Sequence, residues 1–165
     1  MGFADPKRTT TMSRTLLLAF LALPAAALAA PPNACELLTQ EEINLVAERK
    51  VERVQPQRSG NPSECGYLDS RKGAVLVLNV REVQYAVKDE MNVEMQNLEK
   101  IYRAKSKPVD AVGDAAYWLP VNSQLGFRKG KIIVTMRFST PKNQNAIDTA
   151  QVARVVETRL TNLPK

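Results

Sequence analysis

The chain contains no histidine, and that absence excludes more than any motif present establishes. Without an imidazole there is no Ser-His-Asp or Cys-His nucleophilic site and no histidine-bound metal. Glycine-rich cradles are missing as well: neither Gly-x-Gly-x-x-Gly nor a phosphate-binding P-loop occurs, so a nucleotide cofactor has no visible seat. Aromatics make up only 5% and do not interleave with the basic residues, and the net charge is a modest +6, which argues against nucleic acid as a partner. Two cysteines without histidine cannot build a structural zinc site. Past one short apolar stretch near the start, no segment is apolar enough to span a membrane. The expectation is a chain with no cofactor, no metal and no catalytic residues.

That apolar stretch is the clearest feature present. Basic Lys7, Arg8 and Arg14 precede the run from Thr15 to Leu23, then come Pro24 and an alanine-rich tail with small residues at Ala27 and Ala29. This is the tripartite pattern of a secretory signal peptide cleaved near Ala29/Ala30, too short for a retained anchor. Met12 is an alternative start to Met1. The expected division is a leader over residues 1–29 and a single domain over residues 30–165, placed in the periplasm or secreted. Removing the leader takes away Lys7, Arg8, Arg14 and Asp5, which lowers the net charge from +6 to +4. Cys35 is separated from the small-residue site by Pro31-Pro32-Asn33-Ala34, so it does not read as a lipidated cysteine. In an oxidising compartment Cys35 and Cys65 are expected to form a disulfide.

Along the domain, Thr39-Gln40-Glu41-Glu42 is a capping box, with Leu38 and Ile43 as its hydrophobic staple. Val51 and Val54 among charged neighbours suggest an edge strand, and Ser59-Gly60-Asn61-Pro62 a turn. Residues 64–68 and 74–83 read as a hairpin about Asp69-Ser70-Arg71-Lys72-Gly73. Val87, Met91, Met95, Leu98, Ile101 and Tyr102 recur at helical spacing from Tyr85 to Lys105, a stripe that reads as core packing against a sheet. Lys107-Pro108 ends that helix. A strand follows at Tyr117-Trp118, then a second hairpin about Gly130, and a last helix introduced by Pro141 and Asn143. The order is αβββ-αβββ-α. Arg71-Lys72-Gly73 and Arg128-Lys129-Gly130 each precede an apolar strand, and Tyr67 and Tyr117 each lie upstream. The expected fold class is α+β: one antiparallel sheet from two helix-plus-β-meander units, covered by helices.

Chemistry-bearing candidates are few. Arg71, Lys72, Arg128 and Lys129 at two equivalent hairpin tips form the only charge pattern suited to a partner, an anionic envelope component or another envelope protein. Trp118, the only tryptophan, is either an interface anchor or, the favoured reading, a core residue. Asp110 and Asp114 bracket Gly113, where Asp114 is expected to bond its own turn. Ser139-Thr140-Pro141-Lys142 matches Ser-x-x-Lys formally, without the companion motifs of that enzyme class.

Cys35-Glu36-Leu37-Leu38-Thr39, Glu64-Cys65-Gly66-Tyr67 and Val112-Gly113-Asp114-Ala115-Ala116-Tyr117-Trp118 resemble a group of small secreted bacterial domains of unknown function, common among actinobacterial lipoproteins. The resemblance covers most of the domain. It implies helices on an antiparallel sheet, akin to the PsbP family, and carries over no catalytic residue; the chain departs from it in lacking a lipidated cysteine. The functional expectation is an exported, soluble, non-enzymatic binding or interaction module. The alternatives are a histidine-free hydrolase using Asp110, Asp114 or Ser139, and an envelope structural protein.

Overall fold

The computed structural model describes residues 31–83, 88–139 and 146–163. The expected leader, Tyr85 and Val87 at the head of the long helix, and the positions of Thr140, Pro141, Lys142 and Asn143 lie outside them.

The first helix, α1 (Gln40–Asn44), begins where its sequence demands. The Thr39 hydroxyl accepts the Glu42 N–H at 3.2 Å, and the Glu42 carboxylate accepts the Thr39 N–H at 2.8 Å. Leu38 and Ile43 are both buried beneath it. Five residues are too few for a helix to persist alone. Asn44 anchors its far end by accepting the Val51 N–H at 2.6 Å, while Gln40 donates to the Val51 carbonyl at 2.6 Å.

Two meanders build the sheet. The first comprises β1 (Arg53–Arg58), β2 (Ser63–Leu68) and β3 (Ala74–Glu82). After α2 (Lys88–Tyr102) come β4 (Lys107–Pro108), β5 (Ala115–Leu119), β6 (Gln124–Lys129) and β7 (Ile132–Phe138), then α3 (Ala146–Thr161). The spatial order is β1-β2-β3-β7-β6-β5-β4, antiparallel throughout, so the fold is α+β and the last strands of the two meanders meet at the centre. β1 carries Pro56, which suits an edge strand because its missing N–H can face away from the ladder.

The register makes the internal echo concrete. Gly66 stands opposite Val77 in the first meander, and Gly126 opposite Thr135 in the second. Cys65-Gly66-Tyr67 therefore matches Leu125-Gly126-Phe127, and residues 74–80 of β3 match residues 132–138 of β7. Tyr67 corresponds to Phe127, not to Tyr117: the two upstream tyrosines are no structural pair and point to opposite faces.

One face carries the main core, formed by Cys65, Tyr67, Leu76, Leu78, Val80, Trp118, Leu125, Phe127, Val134, Met136 and Phe138 together with α1 and Val152, Ala153 and Val156 of α3. The expected Cys35–Cys65 disulfide is present and ties the 3-10 turn Ala34–Glu36 to β2. The opposite face carries a smaller cluster, in which Met91, Tyr117 and Leu119 are buried with Met95, Leu98 and Ala104 around them. The long helix is thus less buried than its stripe suggests. Ile101 is 71% exposed and Tyr102 37%, because α2 crosses only part of the sheet.

Lys107-Pro108 was expected only to stop the helix, yet it adds a short edge strand, pairing with Trp118 and Tyr117. A sequence reading misses such a strand because two residues show no alternation and proline argues against pairing.

Candidate binding cleft

The four hairpin-tip cations do not form one surface. β3 and β7 run antiparallel, with Leu76 opposite Phe138 and Glu82 opposite Ile132. The Arg71-Lys72 tip therefore lies at one end of the sheet and the Arg128-Lys129 tip at the other, at least roughly 20 Å away at the usual rise per strand residue. Arg71 and Lys72 are exposed, and Asp69 fixes their turn: its carboxylate accepts the Arg71 N–H at 3.0 Å and the Gly73 N–H at 2.8 Å. Those bonds, with the Arg49 guanidinium at 2.6 Å, hold the Asp69 carboxyl below its ordinary range. Lys129 is already paired with Glu157 of α3 at 2.9 Å. The Gly113 N–H and then the Lys129 ammonium keep the Glu157 carboxyl low, while Glu157 raises Lys129.

Trp118 is 5% exposed and packs in the main core, which removes it as an exposed anchor. Asp114 does not bond its own turn. It reaches across to the other hairpin, where its carboxylate accepts the Gly130 N–H at 2.7 Å and its own N–H donates to the Arg128 carbonyl at 2.7 Å. Gly113 has a φ of +62°, and a Cβ there would stand 2.3 Å from that carbonyl, so glycine is required on both counts. Ser139 lies past the far end of β7, its N–H donating to Val75. Asp114 and Ser139 are thus at opposite ends of one strand and do not converge, while Asp110 is exposed in the connection between β4 and β5.

What does converge is a cleft of about 520 Å³ between α2 and the β4–β5 edge. Met91, Met95, Pro108, Ala115, Ala116 and Tyr117 give it an apolar floor, and Asn92, Glu99, Ser106, Asp114 and Arg128 supply its polar groups. Alternation along β6 delivers Arg128 to this side: Phe127 faces the main core, and Arg128, opposite Ala115, faces α2. Glu99 holds the wall that follows the helix, its carboxylate accepting the Ser106 N–H at 2.8 Å and the Ser106 hydroxyl at 2.6 Å. These two bonds lower its pKa.

No protein-family model matches this chain, and no curated protein sequence matches it. No group of three histidine, cysteine, aspartate or glutamate side chains able to hold a metal occurs among the described residues. No helix among them is long and apolar enough to cross a membrane.

A polar chain positions the helical wall. Arg81 of β3 pairs with Glu90 at 2.7 Å and Glu94 at 2.5 Å, both on α2. The Tyr117 hydroxyl donates to Glu94 at 3.1 Å and accepts from Gln124 at 2.9 Å. Burial first, and then the Glu94 charge, push the Tyr117 hydroxyl well above its ordinary pKa. Sequence reading had noted Met91 and Met95 as a core stripe and missed Asn92, Glu99, Ser106 and Pro108 as cleft residues. The spacing of Glu99 and Ser106, across the end of the helix, was the only signal that could have shown the wall.

Proposed function

We propose that this chain is an exported, non-enzymatic binding module of the bacterial envelope, and that the α2–β5 cleft is its ligand site. The observation that carries the reading is an open, apolar-floored cleft with a half-buried arginine, Arg128, among its lining groups. A volume of this size is typical of small-molecule sites built from an apolar lining and a few placed polar groups. The separation of Ser139 from Asp114 favours binding over hydrolysis. The leader-like N-terminus, the disulfide and the resemblance to small secreted bacterial domains favour export. Of the four tip cations, Arg128 alone lines the cleft, so the proposed site keeps one of the expected basic residues and leaves Arg71 and Lys72 outside it.

The test is a methionine-methyl NMR spectrum of the purified, disulfide-bonded chain, recorded with and without small molecules extracted from the envelope. Shifts concentrated at Met91 and Met95, lost in Arg128→Glu and kept in Lys72→Glu, are the expected result. Shifts confined to residues outside the cleft, or turnover of ester or amide substrates that Ser139→Ala abolishes, would falsify it. Cell fractionation with intact mass checks the location: export predicts a chain beginning near Ala30.

A further inference from the structure

The last turn of α2 stands clear of the sheet. Lys100, Ile101, Tyr102 and Arg103 follow one another about 100° apart around the helix axis, and all four are exposed, so this turn has no buried side. Ile101 is the most open of its apolar residues, at 71%. Beyond the turn Lys105 and Lys107 are exposed as well, which places four cations within eight residues. Half-buried Glu99 and exposed Asp110 are the carboxylates that flank them in sequence. Among the described residues the four cations make one ion pair, the 3.4 Å approach of Lys105 to Glu99. The negative end of the helix dipole accounts for cations in the last turn. It explains neither Lys107, beyond its reach, nor the two large apolar side chains left in water.

A concavity of about 440 Å³ opens on the same turn, lined by Gln96, Glu99, Lys100, Arg103, Ala104 and Lys105. Three cationic side chains around one hollow suit an anionic oxygen group. We propose that this end of α2 docks on an anionic phospholipid bilayer, with lipid phosphates held by Lys100, Arg103, Lys105 and Lys107 and with Ile101 and Tyr102 entering the headgroup boundary.

The mixture of charge and apolar surface selects a bilayer over other anions. A bilayer offers phosphates and acyl chains within roughly 5–10 Å of depth, which matches cations interleaved with Ile101 and Tyr102. Lysine and arginine stems lie along such a boundary while their heads stay with the phosphates, and tyrosine suits it with an apolar ring and a wet hydroxyl. An acidic protein surface would set Ile101 against carboxylates, and a free phosphate would leave it in water. One turn and four cations make a reversible, salt-sensitive contact rather than a permanent anchor. The docking needs only export, which brings a membrane within reach, and is independent of what the cleft holds.

Co-sedimentation of the disulfide-bonded chain, isolated after export, with lipid vesicles tests this. Vesicles of phosphatidylglycerol and phosphatidylcholine in equal parts should carry the chain down, and vesicles of phosphatidylcholine alone should not. Binding should fall at least about tenfold in Lys100→Glu with Arg103→Glu, and several-fold in Ile101→Ser. Arg71→Glu with Lys72→Glu, the same charge change at the β2–β3 tip, should keep it. If the Lys100 and Arg103 double variant loses stability in urea, Lys107→Glu takes its place with a smaller expected loss. Equal capture by phosphatidylcholine, no capture by either vesicle, an unchanged affinity in Ile101→Ser, or an equal loss in the Arg71 and Lys72 variant overturns the proposal. Polyglutamate bound as tightly as the vesicles would assign the surface to an acidic protein, and glycerol phosphate bound as tightly per phosphate would assign it to a soluble anion; either result overturns bilayer docking. The methionine-methyl spectrum that reports on the cleft is a separate readout, so failure here leaves the cleft reading standing.

Discussion

The Tyr117 ring covers Gly126, its cross-strand neighbour, so closely that a Cβ on Gly126 would lie 2.3 Å from the ring. The ring cannot step aside freely, because Glu94 and Gln124 hold its hydroxyl. Gly126→Ala should therefore destabilise the fold by about 1–3 kcal/mol, the usual cost of overpacking. Gly66→Ala, at the matching position of the first meander, meets only the end of the flexible Gln57 side chain. It should be close to neutral. Urea unfolding of the two variants side by side checks the contrast.

The helical wall of the cleft depends on Arg81. Arg81→Met leaves Glu90 and Glu94 without their shared cation and should cost about 1–3 kcal/mol, as expected for losing a hydrogen-bonded charged partner. The more specific outcome is local. Hydrogen exchange of the α2 amides should quicken while that of β3 and β7 changes little, since the apolar contact beneath α2 is small. Uniform acceleration across both regions would contradict a local role.

The two basic tips should respond differently to charge reversal. Lys129→Glu places a carboxylate against Glu157 and should lower the denaturant midpoint. Arg71→Glu and Lys72→Glu touch no ion pair among the described residues and should leave stability within about 0.5 kcal/mol of the parent. Denaturant midpoints decide the matter.

The pH profile follows from which groups titrate. With no histidine, no side chain ordinarily changes charge between pH 5 and 8, so stability should be flat there. Asp69, Glu99 and Glu157 are all held below their ordinary values in the fold. On acidification the unfolded chain takes up protons first, so their contribution is present above about pH 4 and is lost as the pH falls through the folded values. Tyr67 and Tyr117 are raised by burial, so their contribution is lost only above about pH 10, where the unfolded phenols ionise. Thermal unfolding across pH 2–11 should give a plateau with two falling limbs. Asp69→Asn should soften the acid limb.

Reduction should cost the fold about 3–4 kcal/mol, the loop entropy of a cross-link spanning 30 residues. Cys35→Ser with Cys65→Ser should show the same loss without reductant, read as a lower urea midpoint.

Much of the architecture was legible because its signals are local. The Thr39 capping box, the apolar run of β3 and the glycine-centred hairpins each declare themselves within a few residues, and the shared element order suggested the two meanders. What escaped was decided by pairing. Whether Arg71 and Arg128 share a surface depends on β3 meeting β7 head to tail, which no local pattern encodes. Asp114 reaches Gly130 only because β5 and β6 fold together. The cleft was hidden for the same reason: Met91 and Met95 share one helical stripe, Met91 is a core residue as the stripe suggests, and only Met95 stays half-buried beside the cleft.

The central pairing of β3 with β7 has one more effect. Under the correspondence between the two meanders Leu78 maps onto Met136, and these two residues face each other across the strands. A pseudo-twofold axis therefore passes between them, and the chain consumes its two longest apolar strands by joining one half to the other. What remains at the rims is β1, interrupted by Pro56, and β4, two residues long and carrying Pro108. Each rim is a poor template for a further strand. That arrangement keeps the sheet finite and guards it against strand-by-strand polymerisation.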